Sequence, residues 1–271
     1  MNLIHMIIIT RALRSLFAVL IMVLAGCSTV PTSYQPVQPI APLDFFDRAF
    51  DEVLRAHVMD GVVDYPGIAT DSRFTSYLEQ LRRVDPNALP TQAERLIFWT
   101  NAYNAFAIRG ILDGYSPRTL FGRYRYFIAR KYNVGGELID LYDIEQKILI
   151  PQFHEPRIHF AIVCASSSCP KLQPHAYKAD QLEAQLEYSA REFINDPTRN
   201  HFDREKKIAY LSMIFKWFEK DFVAQQGSLL SYVQHYVNDP DLKRELASES
   251  YTVKFIDYDW NLNGTPYVYP H

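Results

Sequence analysis

Residues 91–115, "TQAERLIFWTNAYNAFAIRGILDGY", constrain the fold most strongly, because they read as one long helix that is apolar almost all round. A start near Thr91 with Glu94 in the first turn is typical of a capped N-terminus, and Gly114 lies near the expected end. Residues 96–112 leave no wide polar face, and a helix of that kind is buried on all sides. The sequence therefore predicts a central helix that the rest of the domain surrounds.

Shorter helical and strand patterns alternate irregularly along the rest of the chain. Glycines at 135 and 136 predict the turn of a hairpin, and residues 201–212, "HFDREKKIAYLS", predict a second hairpin. The apolar run "RIHFAIV" at 157–163 is interpreted as a buried strand. Irregular alternation is typical of an α+β fold. We expect a single domain with a central buried helix, a mainly antiparallel sheet and several surrounding helices.

The overall composition argues against one large class of partner. The chain has 271 residues, of which 48% are hydrophobic, and this is enough for the core of one good-sized domain. Its formal net charge is −3, and no basic stripe runs along the sequence. Nucleic-acid-binding proteins usually show such a stripe, so we expect no nucleic-acid partner.

The N-terminus reads as a targeting segment. Arg11 and Arg14 precede an apolar run of roughly a dozen residues, which is too short to span a membrane. The run ends in "LAGC" at 24–27, which resembles a bacterial lipobox, where the cysteine is lipid-modified and becomes the new N-terminus. The alternative is an ordinary signal peptide followed by a chance cysteine. Ser28 after the cysteine, rather than Asp, is similar to Gram-negative lipoproteins of the outer membrane.

These features divide the chain into three parts. Residues 1–26 are expected to form a lipoprotein signal peptide. Residues 27–43, which are rich in Pro, Ser, Thr and Gln, are expected to form a flexible tether with the lipid on Cys27. Residues 44–271 then form the one folded domain. We expect an outer-membrane lipoprotein that faces the periplasm and contacts the membrane through the lipid on Cys27.

Lipidation of Cys27 would leave only Cys164 and Cys169, which flank the serines of "CASSSCP". The periplasm permits disulfides, so this pair forms a disulfide, holds a metal or borders an active site. Together with His159 and His175 the pair supplies four candidate zinc ligands, but their spacing fits no common zinc finger. The metal site is the least favoured interpretation, and no cofactor is predicted.

Asn101 and Asn104 stand out within the apolar helix. They are three residues apart and therefore share one face. Asn is a poor helix former, and a buried amide must be hydrogen-bonded. Either the two amides tie the helix to neighbouring backbone, or they line a site.

His159 and Asp259 are two further polar candidates. On a regular strand, His159 and Cys164 point to opposite faces, and only a bulge or turn would bring them together. Asp259 lies in "DYDWNLNG", which is typical of a turn stabilised by Asx-type hydrogen bonds. The alternative is that the Asp259 carboxylate orients His159.

The quoted segments together resemble the DUF547 family, whose function is unknown. Members typically carry W-x-N-x-Y-N on a helix, then IHFAL-x-C-A-S-x-S-C-P, and near the C-terminus YDW-x-LN. This chain has "FWTNAYNAFAIRGIL", "IHFAIVCASSSCP" and "YDWNLNG" in that order, along with "DGVVDYPGI" and "DIEQKIL". The resemblance covers about residues 45–265 and implies no substrate. It does favour a functional site at the matched polar positions. Those positions are Asn101, Tyr103, Asn104, His159, Cys164, Ser166, Ser168, Cys169 and Asp259.

Two hypotheses of different classes follow. The favoured one is an envelope binding or interaction module, in which Cys164 and Cys169 form a disulfide and the ligand is a peptide, glycan or protein. The alternative is a cysteine-dependent hydrolase or acyltransferase with Cys164 as nucleophile and His159 as base. Asp259 or Asn101 would orient the imidazole, as in papain-like and transglutaminase-like sites. The residues expected to line the pocket are Tyr103, Asn104, Ser166 and Ser168.

Overall fold

The computed structural model of the protein describes residue 40, residues 47–248 and residues 250–268. The predicted signal peptide, Cys27 and almost all of the predicted tether lie outside the described residues. Within the described part, no helix combines the length and the apolar character that crossing a membrane requires.

Helices contribute more of the described chain than strands do. The α-helices are α1 (Arg48–His57), α2 (Tyr65–Thr70), α3 (Ser72–Leu81), α4 (Gln92–Leu112), α5 (Leu120–Tyr124), α6 (Leu141–Asp143), α7 (Ile150–Phe153), α8 (Leu182–Asn195), α9 (Met213–Trp217), α10 (Glu219–Gln226), α11 (Leu229–Tyr236) and α12 (Pro240–Leu246). Pro86–Ala88 and Pro156–Phe160 form 3₁₀ turns, and Arg125–Ala129 and Ile144–Leu149 form π-helical turns. The strands are β1 (Val58–Met59), β2 (Val62–Asp64), β3 (Tyr132–Val134), β4 (Glu137–Ile139), β5 (His201–Asp203), β6 (Ile208–Ser212), β7 (Thr252–Ile256) and β8 (Gly264–Thr265).

The predicted central helix is confirmed as α4. The Thr91 hydroxyl accepts a hydrogen bond from the Glu94 backbone N–H, and the Glu94 carboxylate accepts one from the Thr91 N–H, so a complete capping box starts the helix. Every residue from 98 to 108 is buried. Eleven consecutive positions cover all faces of a helix, so α4 is enclosed by the domain as its apolar sequence requires.

The α+β class is confirmed, although the sheet content is divided. The strands form three small sheets, in the orders β1-β2-β8, β3-β4 and β5-β6-β7, instead of one mainly antiparallel sheet. Both predicted hairpins are present as β3–β4 and β5–β6. The C-terminal strands β7 and β8 add in parallel to β6 and β2. The strands are only two to five residues long, and the sheets that they form have two or three strands each.

The prediction of a strand at 157–163 is wrong, since residues Pro156–Phe160 form a 3₁₀ turn. Pro156 presets the turn's φ angle, and the Glu155 carboxylate accepts a hydrogen bond from the Arg157 N–H at 3.0 Å, which caps the turn. Ile158 packs in the core around α4, whereas Phe160 packs in a second core built from α8 to α12. The segment is apolar because it lies between two cores, and periodicity alone cannot separate such a segment from a strand.

Candidate functional site

The amides of the two helix asparagines pair with main chain. Asn101 Nδ2 donates to the Tyr177 carbonyl oxygen and Asn101 Oδ1 accepts from the Tyr177 N–H, both at 2.9 Å. One turn later, Asn104 Nδ2 donates to the Ala161 carbonyl oxygen at 2.9 Å, and Asn104 Oδ1 accepts from the Val163 N–H at 2.8 Å. Each amide therefore bonds the loop backbone as a neighbouring strand would.

This pairing settles the two interpretations of the asparagines in favour of a structural network. It also corrects the proposed role of Asn101 as the residue that orients His159, because the Asn101 amide is bonded to Tyr177. The two amides hold both ends of the segment 161–177, which contains the cysteines. We call residues 164–169 the cysteine loop.

The predicted disulfide between Cys164 and Cys169 is confirmed, with their Cα atoms 6.2 Å apart. A nucleophilic thiol must be free to ionise. In this oxidised state Cys164 therefore does not fill the nucleophile's role in the hydrolase hypothesis, and neither sulfur is a free thiolate for a metal. No group of three His, Cys, Asp or Glu side chains that could hold a metal ion is found in the described part of the chain.

The cysteine loop pairs with the "DWNLN" segment, as the sequence motifs suggested. Ser166 forms an antiparallel bridge with Leu262, and the Ser168 N–H donates to the Asp259 carbonyl oxygen at 3.1 Å. The Asp259 N–H donates back to Ser168 Oγ at 2.9 Å. The Asp259 carboxylate accepts from the Asn261 N–H at 2.9 Å. Asp259 is thus an exposed turn residue, and its proposed role in orienting His159 is wrong.

His159 is paired with Asp221, a residue that the sequence did not single out. The His159 Nε2 and Asp221 Oδ2 atoms are 2.8 Å apart, and the imidazole stacks on Phe218 with ring centroids 3.9 Å apart. Only 3% of His159 is exposed. Burial lowers the pKa of His159 against the opposing effect of Asp221, so the imidazole is neutral at pH 7. A neutral ring that donates Nε2–H to Asp221 leaves Nδ1 as a buried acceptor, and Nδ1 has no partner among the described residues.

A cleft of about 300 Å³ adjoins this pair. Its walls include His159, Asp221 and the apolar side chains of Ile150, Ile158 and Ala224. Cys164 does not line it. The structure therefore brings His159 together with Asp221, and not with Cys164, Asp259 or Asn101, so the hypothesised catalytic group is not assembled.

Glu145 adds a second acidic group near Asp221. It lies on the π-helical turn Ile144–Leu149 and is half-buried. Removal from water, together with the negative charge of Asp221, raises the pKa of Glu145 to about 8. Burial and the charge of Glu145 also raise the pKa of the Tyr103 phenol, which is fully buried. At pH 7 Glu145 is mostly protonated and can donate a hydrogen bond.

An aromatic cluster of Trp217, Tyr258 and Trp260 covers the cysteine loop. The ring centroids of Tyr258 lie 4.8 Å from Trp217 and 4.6 Å from Trp260, and the Tyr258 hydroxyl lies 3.2 Å from Cys164 Sγ and 3.1 Å from Cys169 Sγ. The Arg123 guanidinium sits 4.5 Å above the Trp260 ring. All three rings are half-buried, so part of the cluster faces solvent.

Sequence reasoning missed Glu145, Asp221 and Tyr258. A signal existed for two of them, because Glu145 interrupts the apolar positions of "DIEQKIL" and Tyr258 belongs to "YDWNLNG". Asp221 lies in the charged stretch "FEKDF", where nothing marks it out. Its role depends on α10 packing against the 3₁₀ turn that carries His159.

Comparison with known proteins identifies a family for part of the chain. Residues 86–194 match the family described as "Protein of unknown function, DUF547". The match runs from the turn before α4 through the cysteine loop into α8, and it ends before Asp221 and Tyr258. The DUF547 resemblance is confirmed for these residues, which make up less than half of the chain. No curated protein and no solved structure matches the chain.

Removal of the Asn104 amide is expected to destabilise the domain. Asn104→Ala leaves a buried carbonyl and a buried N–H without partners, which should lower the free energy of unfolding by about 2–4 kcal/mol. Urea unfolding of the oxidised protein measures the change. Asn133→Ala, which removes a single turn hydrogen bond to the Gly136 N–H, is the matched control and should cost less than about 1 kcal/mol. Equal losses in the two variants would contradict the structural role of Asn104.

The raised pKa of Glu145 predicts a pH dependence of stability. Between its unfolded value of 4.5 and its folded value of about 8, the folded protein holds a proton that the unfolded chain releases. Stability is therefore lost as pH rises through this window. Glu145→Gln removes the loss, so its free energy of unfolding relative to the parent should rise by about 3–4 kcal/mol from pH 5 to pH 8.5. Urea unfolding at several pH values measures this difference in the free energy of unfolding. The exposed Glu137→Gln is the control. A difference between Glu145→Gln and the parent that does not change with pH would contradict the expectation.

Proposed function

We propose that this chain, whose residues 86–194 carry a DUF547 domain, is a protein- or peptide-binding module of the bacterial cell envelope. It is anchored in the outer membrane by a lipid on Cys27 and faces the periplasm. Two observations support this location. The lipobox-like "LAGC" follows a basic, short apolar N-terminus, and the disulfide of the domain suits an oxidising compartment.

The binding role rests on an exposed apolar surface that continues the aromatic cluster. Helix α5 carries Leu120 and Phe121, which are 56% and 70% exposed. Arg123 of the same helix joins this surface to Trp260. Large apolar side chains exposed side by side mark interaction sites, and Trp, Tyr and Arg are the residues that dominate binding energy at protein interfaces.

The chemistry of this surface favours a protein or peptide over a glycan. The Trp260 face is covered by Arg123 and by neighbouring rings, whereas Leu120 and Phe121 offer aliphatic and aromatic area suited to apolar side chains. The segment 117–131 contains five basic residues and no acidic one. Within the described residues, Arg123 and Arg125 contact aromatic rings and form no ion pair with a carboxylate. The surface therefore suits a partner with an apolar centre and an acidic rim.

The hydrolase hypothesis is not adopted. Both thiols are bonded to each other, and His159 pairs with Asp221. The proposed binding of a partner by the exposed surface on α5 requires no catalytic group.

The anchor can be tested by fractionation. The full-length chain, produced in a Gram-negative bacterium, is expected in the membrane fraction with a lipidated N-terminal cysteine by mass spectrometry. Cys27→Ser should move it out of that fraction, because acyl chains supply the membrane affinity. Cys164→Ser is the control and should leave the distribution unchanged. A Cys27→Ser protein that fractionates like the parent would overturn the anchor.

The binding surface can be tested by crosslinking in the envelope. A photoreactive phenylalanine analogue at position 121 of the lipidated protein should give one discrete, protease-sensitive adduct. Adding Trp260→Ala should abolish this adduct, since truncation of an anchoring aromatic side chain costs about 2 kcal/mol or more of binding. The same probe at Tyr188, which is 54% exposed on α8, is the control and should give no such adduct. A muramidase-sensitive adduct, lipid adducts alone or no adduct at 121 would each overturn the proposed partner class.

A further inference from the structure

We propose that the Cys164–Cys169 disulfide is a redox-active site that exchanges with thiol substrates, with Cys164 as the sulfur attacked and Cys169 as the leaving thiolate. This activity goes beyond ligand binding and does not depend on the surface of α5. It rests on the hydrogen-bond donors around Cys169 and on the different exposure of the two cysteines.

Three donors lie within hydrogen-bonding distance of the Cys169 sulfur, of which the Ser166 hydroxyl is the most distant at 3.5 Å. The Cys164 backbone N–H donates to Cys169 Sγ at 2.9 Å, and the Tyr258 hydroxyl donates to it at 3.1 Å. Ser166 Oγ donates to the Tyr258 oxygen at 3.0 Å. Because that oxygen accepts the serine proton, the proton of Tyr258 itself is free to point at sulfur. Cys164 Sγ lies 3.2 Å from the same hydroxyl, so the Cys164 N–H is the donor that distinguishes Cys169 from Cys164.

The donors are held in place before any reaction. The Tyr258 ring packs against both Trp217 and Trp260, which also contact each other. Burial raises the pKa of Tyr258, so the phenol stays protonated throughout the neutral range. The Cys164 N–H is part of the loop whose approach is set by the pairing of Asn104 with the Val163 N–H.

These donors favour the reduced state. A hydrogen bond to an ionised acceptor is roughly twice as strong as one to a neutral acceptor. The Tyr258 hydroxyl and the Cys164 N–H therefore stabilise a Cys169 thiolate more than they stabilise the disulfide sulfur. A better leaving thiolate speeds exchange, and stabilisation of the reduced form makes a disulfide more oxidising.

The burial of the two cysteines sets the direction of attack. Cys169 is only 3% exposed, whereas Cys164 is half-buried at the start of the loop. An incoming thiolate attacks Cys164 Sγ and forms a mixed disulfide, while the Cys164–Cys169 bond breaks and its electron pair leaves on Cys169 as thiolate. If the substrate is a dithiol, its second thiolate attacks the substrate sulfur of the mixed disulfide and releases the Cys164 thiolate. The substrate is oxidised to a disulfide, and the cysteine pair takes up two electrons.

Equilibration with glutathione tests the proposal on the full-length lipidated protein in detergent. Thiol alkylation and mass spectrometry report the reduced fraction across a series of reduced-to-oxidised glutathione ratios. The parent protein should be reduced reversibly while it remains folded. Tyr258→Phe keeps the ring but removes the donor, and it should disfavour reduction about tenfold, which corresponds to about 30 mV. Ser167→Ala is the matched control, because the Ser167 hydroxyl bonds to the Asn261 and Leu262 carbonyl oxygens and not to sulfur.

Two results would overturn the proposal, namely a parent disulfide that glutathione cannot reduce without unfolding the protein, and a Tyr258→Phe equilibrium equal to that of the parent. A second pair of variants keeps the test valid if Tyr258→Phe folds poorly in the oxidised form. Cys164→Ser leaves Cys169 as the only thiol of the cysteine loop. Its thiolate absorbance at neutral pH should exceed that of the Cys164→Ser, Tyr258→Phe double variant, and equal absorbance would also overturn the proposal.

Discussion

The pairing of two asparagine amides with loop backbone is the interaction on which the rest of this structure depends. Asn101 and Asn104 lie on the buried helix α4 and face main chain on either side of the cysteine loop. Without them, α4 would offer this loop only apolar contacts, and the buried N–H and carbonyl groups of Tyr177, Ala161 and Val163 would lack partners. The same two residues let an irregular segment pack directly against a fully enclosed helix, because their amides supply the hydrogen-bond partners that the backbone of the segment needs.

The position of the cysteine loop also determines the positions of Tyr258, Trp260 and His159. The loop backbone pairs with residues 259–263, and this pairing places Tyr258 against the sulfurs and Trp260 beside Arg123. On the other side, the 3₁₀ turn before the loop carries His159 to Asp221. The aromatic cluster and the sulfur environment, which share Tyr258, and the buried acid–histidine group are therefore all supported by one short stretch of chain.

Much of this architecture could be predicted from sequence, and the reason is that it depends on local patterns. The all-round apolar character of α4, its capping residues and the three-residue spacing of the asparagines are visible in the sequence and are present in the structure. The disulfide followed from counting cysteines. The parts that could not be predicted depend on which side chains meet after folding. Asp221 is one acid among several in a charged stretch, and only the docking of α10 selects it. The sequence does not distinguish the 3₁₀ turn from a strand, because burial between two cores imposes the same apolar composition as burial in a sheet.

The contacts around the cysteine loop differ widely in sequence separation, and therefore in the chain entropy that each one costs. The disulfide joins residues five apart, so it can close while the rest of the chain is still unfolded. The asparagine pairs span 57 and 76 residues, and the Tyr258 contact with Cys169 spans 89. Loop-closure entropy grows with length, so closing the cysteine loop costs the chain less entropy than forming the asparagine or Tyr258 contacts. Loss of a cysteine therefore removes a short-range closure, whereas loss of an asparagine removes one of the long-range contacts that hold the loop against α4.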